Sequence, residues 1–329
     1  MKVLKFRNKI IAQKRKKTIK WGEKIKMKKA KFYTAVVTAF QEYGSLDKEG
    51  NRAIYERLIS AGSDGIVLMG STGEFCSLNM ETARELTDLA LQSINGRIDV
   101  IVGISRMIPE ESVELGNYAL SRGADAVILI SPYYFKLSDA DIEEYYDETV
   151  PRINGPVLLY NFPGCTAHDI SPELALRLRR KYSNIRGFKD TITEFGHTRK
   201  LCTTILPEFP DFEIYSGFDE FFIHNVISGG AGCIGGLSNV CPELFTAWTE
   251  AVNNVNWQKA VEIQKSVNVL MELFDTAAPF LKGVKHALKI MGVLKDDWSR
   301  KPLLPVTSEE DIKIRRICNY ITDIQKQTL

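Results

Sequence analysis

The sequence predicts an α/β protein, a (β/α)8 TIM barrel with a C-terminal helical extension. Eight apolar, β-branched runs lie between residues 33 and 234, and each precedes a stretch with helical spacing of apolar residues. Nearly continuous apolar strands separated by helices are typical of a parallel sheet buried on both faces. Eight such units over roughly 200–250 residues favour a barrel. An open doubly wound sheet is less favoured, because no GxGxxG turn follows the first run.

The predicted strands follow one another along the chain, each with its own helix. They are Tyr33–Phe40, Gly65–Met69, Val100–Gly103, Ala126–Ile130, Val157–Tyr160, Ile185–Lys189, Phe212–Tyr215 and Cys233–Ile234. After the second strand, Leu86, Leu89 and Ala90 recur at helical spacing. Two helix starts carry clear caps, since Ser138 precedes an acidic first turn and Ser171 precedes a proline.

The strand pattern stops before Pro242, and the rest of the chain is predicted to be helical. Helical patterns cover residues 243–254, 257–274, 279–291 and 308–326. The first of these helices would complete the barrel, and the others would form a C-terminal cap. We therefore expect a barrel over residues 30–254 and a helical region over residues 255–329.

The positive charge of the chain is concentrated at its start. Residues 1–29 contain 13 Lys or Arg and one acid, Glu23, so residues 30–329 hold 30 basic and 40 acidic residues, a net charge of −10. The apolar stretch in this segment is too short for a secretory signal. We interpret residues 1–29 as a disordered basic leader, with Met27 as a possible working start. The alternative is a bulk-charge contact with nucleic acid or an anionic surface.

Composition argues against several classes of protein. No apolar run reaches the ~20 residues of a transmembrane helix, so we expect no membrane partner. The six cysteines form no CxxC pair, and the four histidines form no ligand pair at helical spacing. We therefore expect a cytoplasmic protein without a disulfide framework or a metal site.

Lys189 is the most informative residue in the sequence. It ends the apolar run Ile185–Lys189, where a lysine is unusual because Lys is almost never fully buried without a partner or a function. Desolvation disfavours the charged form of a buried amine, and a neutral amine can attack a carbonyl to form a Schiff base. The alternative is a lysine that extends from the strand end to water.

Other polar residues also follow predicted strands, and barrel enzymes place their active sites at the carboxyl ends of strands. The loop Gly70–Glu74 offers two hydroxyls and exposed backbone amides that suit a small carboxylate, although such a loop in isolation is more often an ordinary glycine turn. The remaining candidates at strand ends are Tyr134, Tyr160, Cys165, Thr191, Gly217, Asp219, Glu220 and Gly236.

Three motifs occur in order, each at a different strand end: GSTGE at 70–74, YNFP at 160–163 and GFKD at 187–190. With them, residues 31–300 resemble the pyruvate-dependent class I aldolase family that contains dihydrodipicolinate synthase and N-acetylneuraminate lyase. The resemblance implies that Lys189 forms a Schiff base with the keto carbon of pyruvate and that Tyr160 is the proton shuttle. It also implies that Ser71 and Thr72 hold the pyruvate carboxylate, with Thr72 coupled to Tyr160.

The same resemblance carries expectations about assembly and cofactors. It implies that Tyr134 is inserted into the site of a neighbouring subunit, and hence a homotetramer built as a dimer of dimers. Ile234 and Gly236 would line the pyruvate pocket. Because Lys189 itself supplies the covalent intermediate, we expect no metal or organic cofactor. The expected partners are small molecules, pyruvate and an aldehyde, with no nucleic acid.

Two residues depart from the pattern of dihydrodipicolinate synthases. Cys165 stands where those enzymes usually have an Arg that binds the carboxylate of aspartate semialdehyde, and a thiol cannot form a bidentate carboxylate pair. Met80 stands where their feedback site for lysine has a histidine. Four residues match sugar-binding positions of the sialic acid lyase: Thr191, Gly217, Asp219 and Glu220.

These comparisons of motifs favour a 2-keto-3-deoxygluconate-type aldolase, which reversibly cleaves a 2-keto-3-deoxy sugar acid to pyruvate and a hydroxyaldehyde. The segments Ser131–Lys136, Tyr160–Asp169 and Gly187–Thr191 are most similar to that group. N-acetylneuraminate lyase is the second interpretation and 4-hydroxy-tetrahydrodipicolinate synthase the third. Dehydratases of keto-deoxy sugar acids share the lysine. A remote alternative is a non-catalytic regulator that binds a keto acid, because a fold alone does not establish activity.

Overall fold

A closed barrel of eight parallel strands forms the centre of the molecule, in a computed structural model that describes residues 28–328. Each strand pairs with the next along the chain, and the last pairs with the first. The predicted (β/α)8 architecture is confirmed. The strands are β1 (Lys31–Ala35), β2 (Gly65–Leu68), β3 (Asp99–Gly103), β4 (Ala126–Ile130), β5 (Val157–Asn161), β6 (Ile185–Asp190), β7 (Glu213–Ser216) and β8 (Gly232–Gly235).

Helices surround the barrel, one after each strand. They are α1 (Lys48–Ser60), α2 (Met80–Ile94), α3 (Pro109–Ser121), α4 (Asp139–Thr149), α5 (Pro172–Lys181), α6 (Phe195–Ile205), α7 (Phe222–Ile227) and α8 (Pro242–Asn253). The two caps predicted from sequence are present. Ser138 forms a capping box with Asp141, and the side chain of Ser171 accepts a hydrogen bond from the Leu174 amide.

Four more helices follow the barrel: α9 (Trp257–Leu270), α10 (Glu272–Thr276), α11 (Leu281–Ile290) and α12 (Ser308–Thr328). The helix expected over residues 257–274 is divided at Met271, where a bond from the Phe274 amide to the Met271 carbonyl tightens the turn. No helix within residues 28–328 combines the length and the apolar content needed to span a membrane. Of the predicted basic leader, only Lys28 and Lys29 belong to the described residues.

The first strand is shorter than predicted, since β1 ends at Ala35 and not at Phe40. Beyond Val36 the backbone turns away from the sheet, and side chains replace strand partners. The Val37 amide donates to Asn239 at 3.1 Å, and the Ala39 amide donates to Asn51 at 3.1 Å. The apolar run continues past Ala35 because these residues pack in the core, which a β pattern alone cannot distinguish from pairing.

A buried ion pair connects the C-terminal helices to the loop that follows β2. Lys285 on α11 lies 2.7 Å from a carboxylate oxygen of Glu74, and both side chains are at most 1% exposed. The second Glu74 oxygen accepts a hydrogen bond from the Arg300 amide at 2.9 Å. Glu74 has a φ of +58°, a conformation that is held by these contacts. The C-terminal region therefore fixes the shape of the GSTGE loop.

Breaking this pair from one side is expected to destabilise the fold. Lys285→Met leaves the Glu74 carboxylate buried without its cation, which should lower the free energy of unfolding by about 3–5 kcal/mol in urea denaturation. The matched control is Lys289→Met, which removes a pair between partly exposed groups and should cost at most about 1 kcal/mol. A Lys285→Met protein as stable as the control variant would contradict the assignment.

Candidate active site

Lys189 projects from the carboxyl end of β6 and is 5% exposed. Its Nζ lies 4.5 Å from the centre of the Tyr160 ring on β5, and the two residues are paired across the strands. Among residues 28–328 no carboxylate lies within ion-pair distance of the amine. The structure thus has a buried lysine beside an aromatic ring and no salt-bridge partner. That arrangement suits an amine that reacts.

Tyr160 is equally buried, at 5% exposure, and its ring is stacked on Phe162 with centroids 6.1 Å apart. Its hydroxyl lies 3.5 Å from the Ser71 hydroxyl, longer than an ordinary O–H···O hydrogen bond. Catalytic hydrogen bonds are often long in the unliganded state and shorten when substrate is present. Lysine, tyrosine and serine thus come together from three strand ends.

The loop after β2 presents backbone amides to this site. A turn closes between Gly70 and Gly73, with the Gly73 amide donating to the Gly70 carbonyl at 3.0 Å. Within the described part of the chain, the amides of Ser71 and Thr72 donate to no protein acceptor. Successive amides without a protein acceptor are the kind of group that can bind a carboxylate.

The hydroxyl nearest Tyr160 belongs to Ser71, which differs from the expectation that Thr72 would be coupled to Tyr160. The Thr72 side chain makes no hydrogen bond to any residue from 28 to 328. It faces the turn after β8, where a Cβ on Gly236 would lie 3.9 Å from its hydroxyl. The turn geometry therefore directs the two neighbouring hydroxyls to different sides.

Asp219 does not present a free carboxylate, although the sequence suggested a sugar contact. One oxygen accepts from the Gly236 amide and the other from the Leu237 amide, both at 3.0 Å. Burial raises the pKa of Asp219 to about 6 against the opposing effect of these bonds. The residue holds the glycine turn after β8, because buried amides need an acceptor.

Two other candidates keep unpaired polar atoms. The Thr191 hydroxyl and one carboxylate oxygen of Glu220 are buried without a hydrogen-bond partner in the described chain. Burial raises the pKa of Glu220. A Cβ on Gly217 would lie 1.8 Å from the Thr191 hydroxyl, so a glycine is required there. Buried polar groups without partners are uncommon in folded proteins and mark places where a ligand can supply the missing bonds.

The remaining predicted residues differ in burial and in their place around the barrel. Ile234 is fully buried on β8, and Gly236 follows in the turn held by Asp219. Cys165 is exposed in a single helical turn after β5. Tyr134 is 85% exposed with a φ of +101°, and contacts Phe135 edge to face. One subunit therefore does not bring Tyr134 to Tyr160.

Sequence reasoning missed a polar cluster behind Lys189 and Tyr160, formed by Asn161, Asp169, Asp190 and His197. These side chains contact one another on the outer face of β5 and β6. The only signal in the sequence was strand alternation, which places Asp190 opposite in direction to Lys189. No spacing pattern links His197 to these strands.

No group of three or more His, Cys, Asp or Glu side chains within residues 28–328 is arranged to hold a metal ion.

A family comparison agrees with this geometry. The model of the dihydrodipicolinate synthetase family matches residues 28–321, which include the whole barrel and most of the C-terminal helices. This chain belongs to the dihydrodipicolinate synthetase family. The resemblance inferred from the GSTGE, YNFP and GFKD motifs is confirmed.

Within the family, the chain is similar to proteins with different names. It is 31% identical over 283 residues to the "Probable 2-dehydro-3-deoxy-D-pentonate aldolase YjhH" of Escherichia coli K12, covering 85% of this chain and 93% of that protein. It is 32% identical over 257 residues to YagE of the same organism, a candidate 2-dehydro-3-deoxy-D-gluconate aldolase, covering 78% and 85%. It is 31% identical over 278 residues to a 4-hydroxy-tetrahydrodipicolinate synthase of Desulfotalea psychrophila, covering 84% and 91%.

A solved structure of the family superposes closely. The crystal structure of YagE in complex with pyruvate has a TM-score of 0.85 and 29% identity, covering 89% of this chain and 98% of that one. The barrel and the C-terminal helices are thus shared with this family member over nearly their full length.

The close approach of Gly217 to Thr191 gives a test of the site geometry. Gly217→Ala would place a Cβ 2.8 Å from the Thr191 Cα as well as against its hydroxyl, so backbone must move. We expect the free energy of unfolding to fall by about 1–3 kcal/mol in urea denaturation. In the control Gly196→Ala, the added Cβ would meet no atom within 4 Å, and stability should be unchanged or higher. Equal stability of the two variants would refute this close packing.

Proposed function

We propose that this protein is a Schiff-base aldolase that reversibly cleaves a 2-keto-3-deoxy sugar acid to pyruvate and a hydroxyaldehyde. The observation that carries the proposal is the buried Lys189 amine, which has no ion-pair partner within residues 28–328 and lies 4.5 Å from the Tyr160 ring. Family membership supports it, as do the aldolase names of YjhH and YagE.

The chemistry needs one amine, one proton shuttle and one carboxylate site. The Lys189 amine attacks the keto carbon of the sugar acid, and loss of water gives an iminium ion. Tyr160 takes the proton of the hydroxyl at the fourth carbon, the bond between the third and fourth carbons breaks, and the aldehyde leaves. The resulting enamine takes a proton on its terminal carbon, and water hydrolyses the imine to release pyruvate. The lysine thereby takes the place of a metal or organic cofactor.

The binding groups suit an acid that carries hydroxyls. The free amides of Ser71 and Thr72 are placed for the carboxylate next to the keto group. The unpaired Thr191 hydroxyl and Glu220 oxygen would receive hydroxyls of the sugar chain. Asp219 is assigned no substrate contact, because both of its oxygens already bind backbone amides. An N-acetylneuraminate lyase would use the same groups and is the second candidate.

The synthase activity is less well supported by the residues, although one similar protein bears that name. Cys165 is exposed at the position where synthases usually carry the arginine for aspartate semialdehyde. Its thiol offers no charge and no paired donors to a second carboxylate. A sugar acid cleaved to an uncharged hydroxyaldehyde needs neither.

We also propose a cytoplasmic homotetramer in which a second copy completes the site. Four large apolar residues that follow β3 and β4 are exposed: Met107, Ile108, Tyr134 and Phe135. Large apolar side chains left exposed are typical of a subunit interface. The unusual φ of Tyr134 holds its ring away from its own barrel, where a neighbouring copy can receive it.

The proposal predicts pyruvate release that depends on Lys189. We expect the wild type to release pyruvate faster from 2-keto-3-deoxygluconate than from N-acetylneuraminate, measured with coupled lactate dehydrogenase. Borohydride should attach pyruvate covalently to the wild type but not to Lys189→Ala, because only the Lys189 amine can form the imine that borohydride reduces. Lys200→Ala, at an α6 lysine remote from β6's carboxyl end, is the control and should be modified normally. Full modification of Lys189→Ala would exclude the Schiff base, and faster release from N-acetylneuraminate would favour the second candidate.

A gain-of-function variant tests the substrate choice. Cys165→Arg supplies the missing guanidinium, and we expect condensation of pyruvate with aspartate semialdehyde to rise about 10- to 100-fold, the effect of one charged hydrogen-bonding pair. Cys165→Gln, similar in reach but uncharged, is the control and should show no comparable gain. If neither variant gains activity, the pocket rejects this aldehyde for a reason other than Cys165.

A further inference from the structure

The polar cluster behind β5 and β6 lies directly against the reacting residues. Tyr160 pairs with Lys189, and the next residues along the strands, Asn161 and Asp190, pair with each other. Successive side chains of a strand point to opposite faces, so Asn161 and Asp190 face the helix layer. Each reacting residue is therefore bonded along the backbone to a member of this cluster.

His197, in the first turn of α6, bridges two carboxylates. Its Nδ1 forms hydrogen bonds of 3.1 and 3.0 Å with the two oxygens of Asp190. Its Nε2 lies 3.2 Å from an oxygen of Asp169, an ion-pair contact that lacks hydrogen-bond alignment. The His197 side chain is 9% exposed and that of Asp190 is fully buried. A ring with a carboxylate at each nitrogen is suited to carry a proton on both.

Further bonds leave Asp190 little freedom. The side-chain nitrogen of Asn161 donates to Asp169 at 2.7 Å and to Asp190 at 3.1 Å. The Thr198 hydroxyl donates to Asp190 at 2.6 Å. The backbone is held as well. The Thr191 amide donates to the Asn161 carbonyl at 2.9 Å, and the Gly217 amide donates to the Asp190 carbonyl at 2.8 Å. The ends of β5, β6 and β7 are thus joined.

The ring is charged at neutral pH. Burial opposes the charged form, but Asp169 and Asp190 outweigh it and raise the pKa of His197 to about 10. The titratable groups around it are Asp190 from β6, Asp169 from the segment before α5, and Cys202 from α6. Burial, with the charge of Asp190, raises the pKa of the Cys202 thiol to about 11, so this thiol stays neutral over most of the range in which His197 titrates.

We propose that Asp169, His197 and Asp190 form a positioning triad that holds Lys189 and Thr191 in place opposite Tyr160, so that the rate of imine formation depends on it. The inference rests on the proposed Schiff-base function. Its physical basis is that a reacting group must be held to within a fraction of an ångström. Contacts on the opposite face of the strand must therefore fix the backbone that carries the group. Lys189 has no ion-pair partner of its own in residues 28–328, so its backbone must supply that support.

The test compares His197→Gln with the wild type. Glutamine keeps a donor but cannot bridge two carboxylates as a cation. We expect the rate of reductive trapping of pyruvate, and kcat, to fall about 10- to 100-fold, while KM changes by less than about 3-fold because the amides of the Ser71 loop remain. The control is His224→Gln. His224, on α7, contacts Phe195 of α6, the helix that carries His197, but does not contact the triad, so this variant should behave as wild type.

The pH profile separates positioning by charge from a general structural role. The trapping rate of the wild type should approach that of His197→Gln as pH rises through about 10, where His197 loses its proton. The ratio of wild-type to His197→Gln trapping rates should therefore decrease from pH 7 to pH 10.5. Stability should follow the same sign: the contribution of a histidine with a raised pKa is complete below about pH 6.5 and lost through pH 10.

Each outcome decides the matter. Trapping by His197→Gln at the wild-type rate, or a ratio that does not change with pH, would overturn the triad. No trapping in the wild type would instead refute the Schiff-base function on which it rests. If His197→Gln fails to fold, Asp169→Asn takes its place, because the Asp169 side chain is 43% exposed and its loss removes one carboxylate only. Slower trapping would then support the triad, and an unchanged rate would overturn it.

Discussion

The pairing of β5 with β6 is the constraint on which the site depends. It places Tyr160 beside Lys189 on the inner face and Asn161 beside Asp190 on the outer face. A slip of one residue would exchange the two faces, bringing carboxylate and amide into the barrel and the amine into the helix layer. Parallel pairing within a closed barrel prevents that slip, because every strand has two neighbours and no free edge.

Two acidic residues in the loops that follow β2 and β7 stabilise the fold and are not free to bind substrate. Glu74 binds Lys285 and the Arg300 amide, and Asp219 binds the amides of the turn after β8. Each carboxylate holds a loop that would otherwise carry buried, unpaired backbone groups, at a cost of about 1–3 kcal/mol per group. The loop held by Glu74 contains the Ser71 and Thr72 amides, which donate to no acceptor within residues 28–328, and the Ser71 hydroxyl near Tyr160. Two of the strand-end candidates, Thr191 and Glu220, keep buried oxygens without a partner within residues 28–328.

Charge is arranged in two layers around the reacting amine. The inner layer contains the Tyr160 ring and the Ser71 hydroxyl, together with the buried Asp219 carboxylate, which interacts electrostatically with Lys189 without forming an ion pair. The outer layer contains an imidazolium between two carboxylates, separated from the inner layer by the strand backbone. An ion pair beside the amine would stabilise its charged form and oppose attack on a carbonyl. Placing the charges behind the strand provides rigidity without direct pairing to the nucleophile.

The sequence by itself determined the barrel and the order of its elements and singled out Lys189 and Tyr160 as candidates, because alternation, caps and the three motifs are local properties. It also singled out Cys165 as a departure from synthases. Only the tertiary structure decided that Ser71 and not Thr72 is nearest Tyr160, and that Asp219 is used by backbone amides. The cluster around His197 likewise required the fold. Its members come from two strands, a loop and a helix, and contacts between residues distant in sequence are set by packing, which no local pattern encodes.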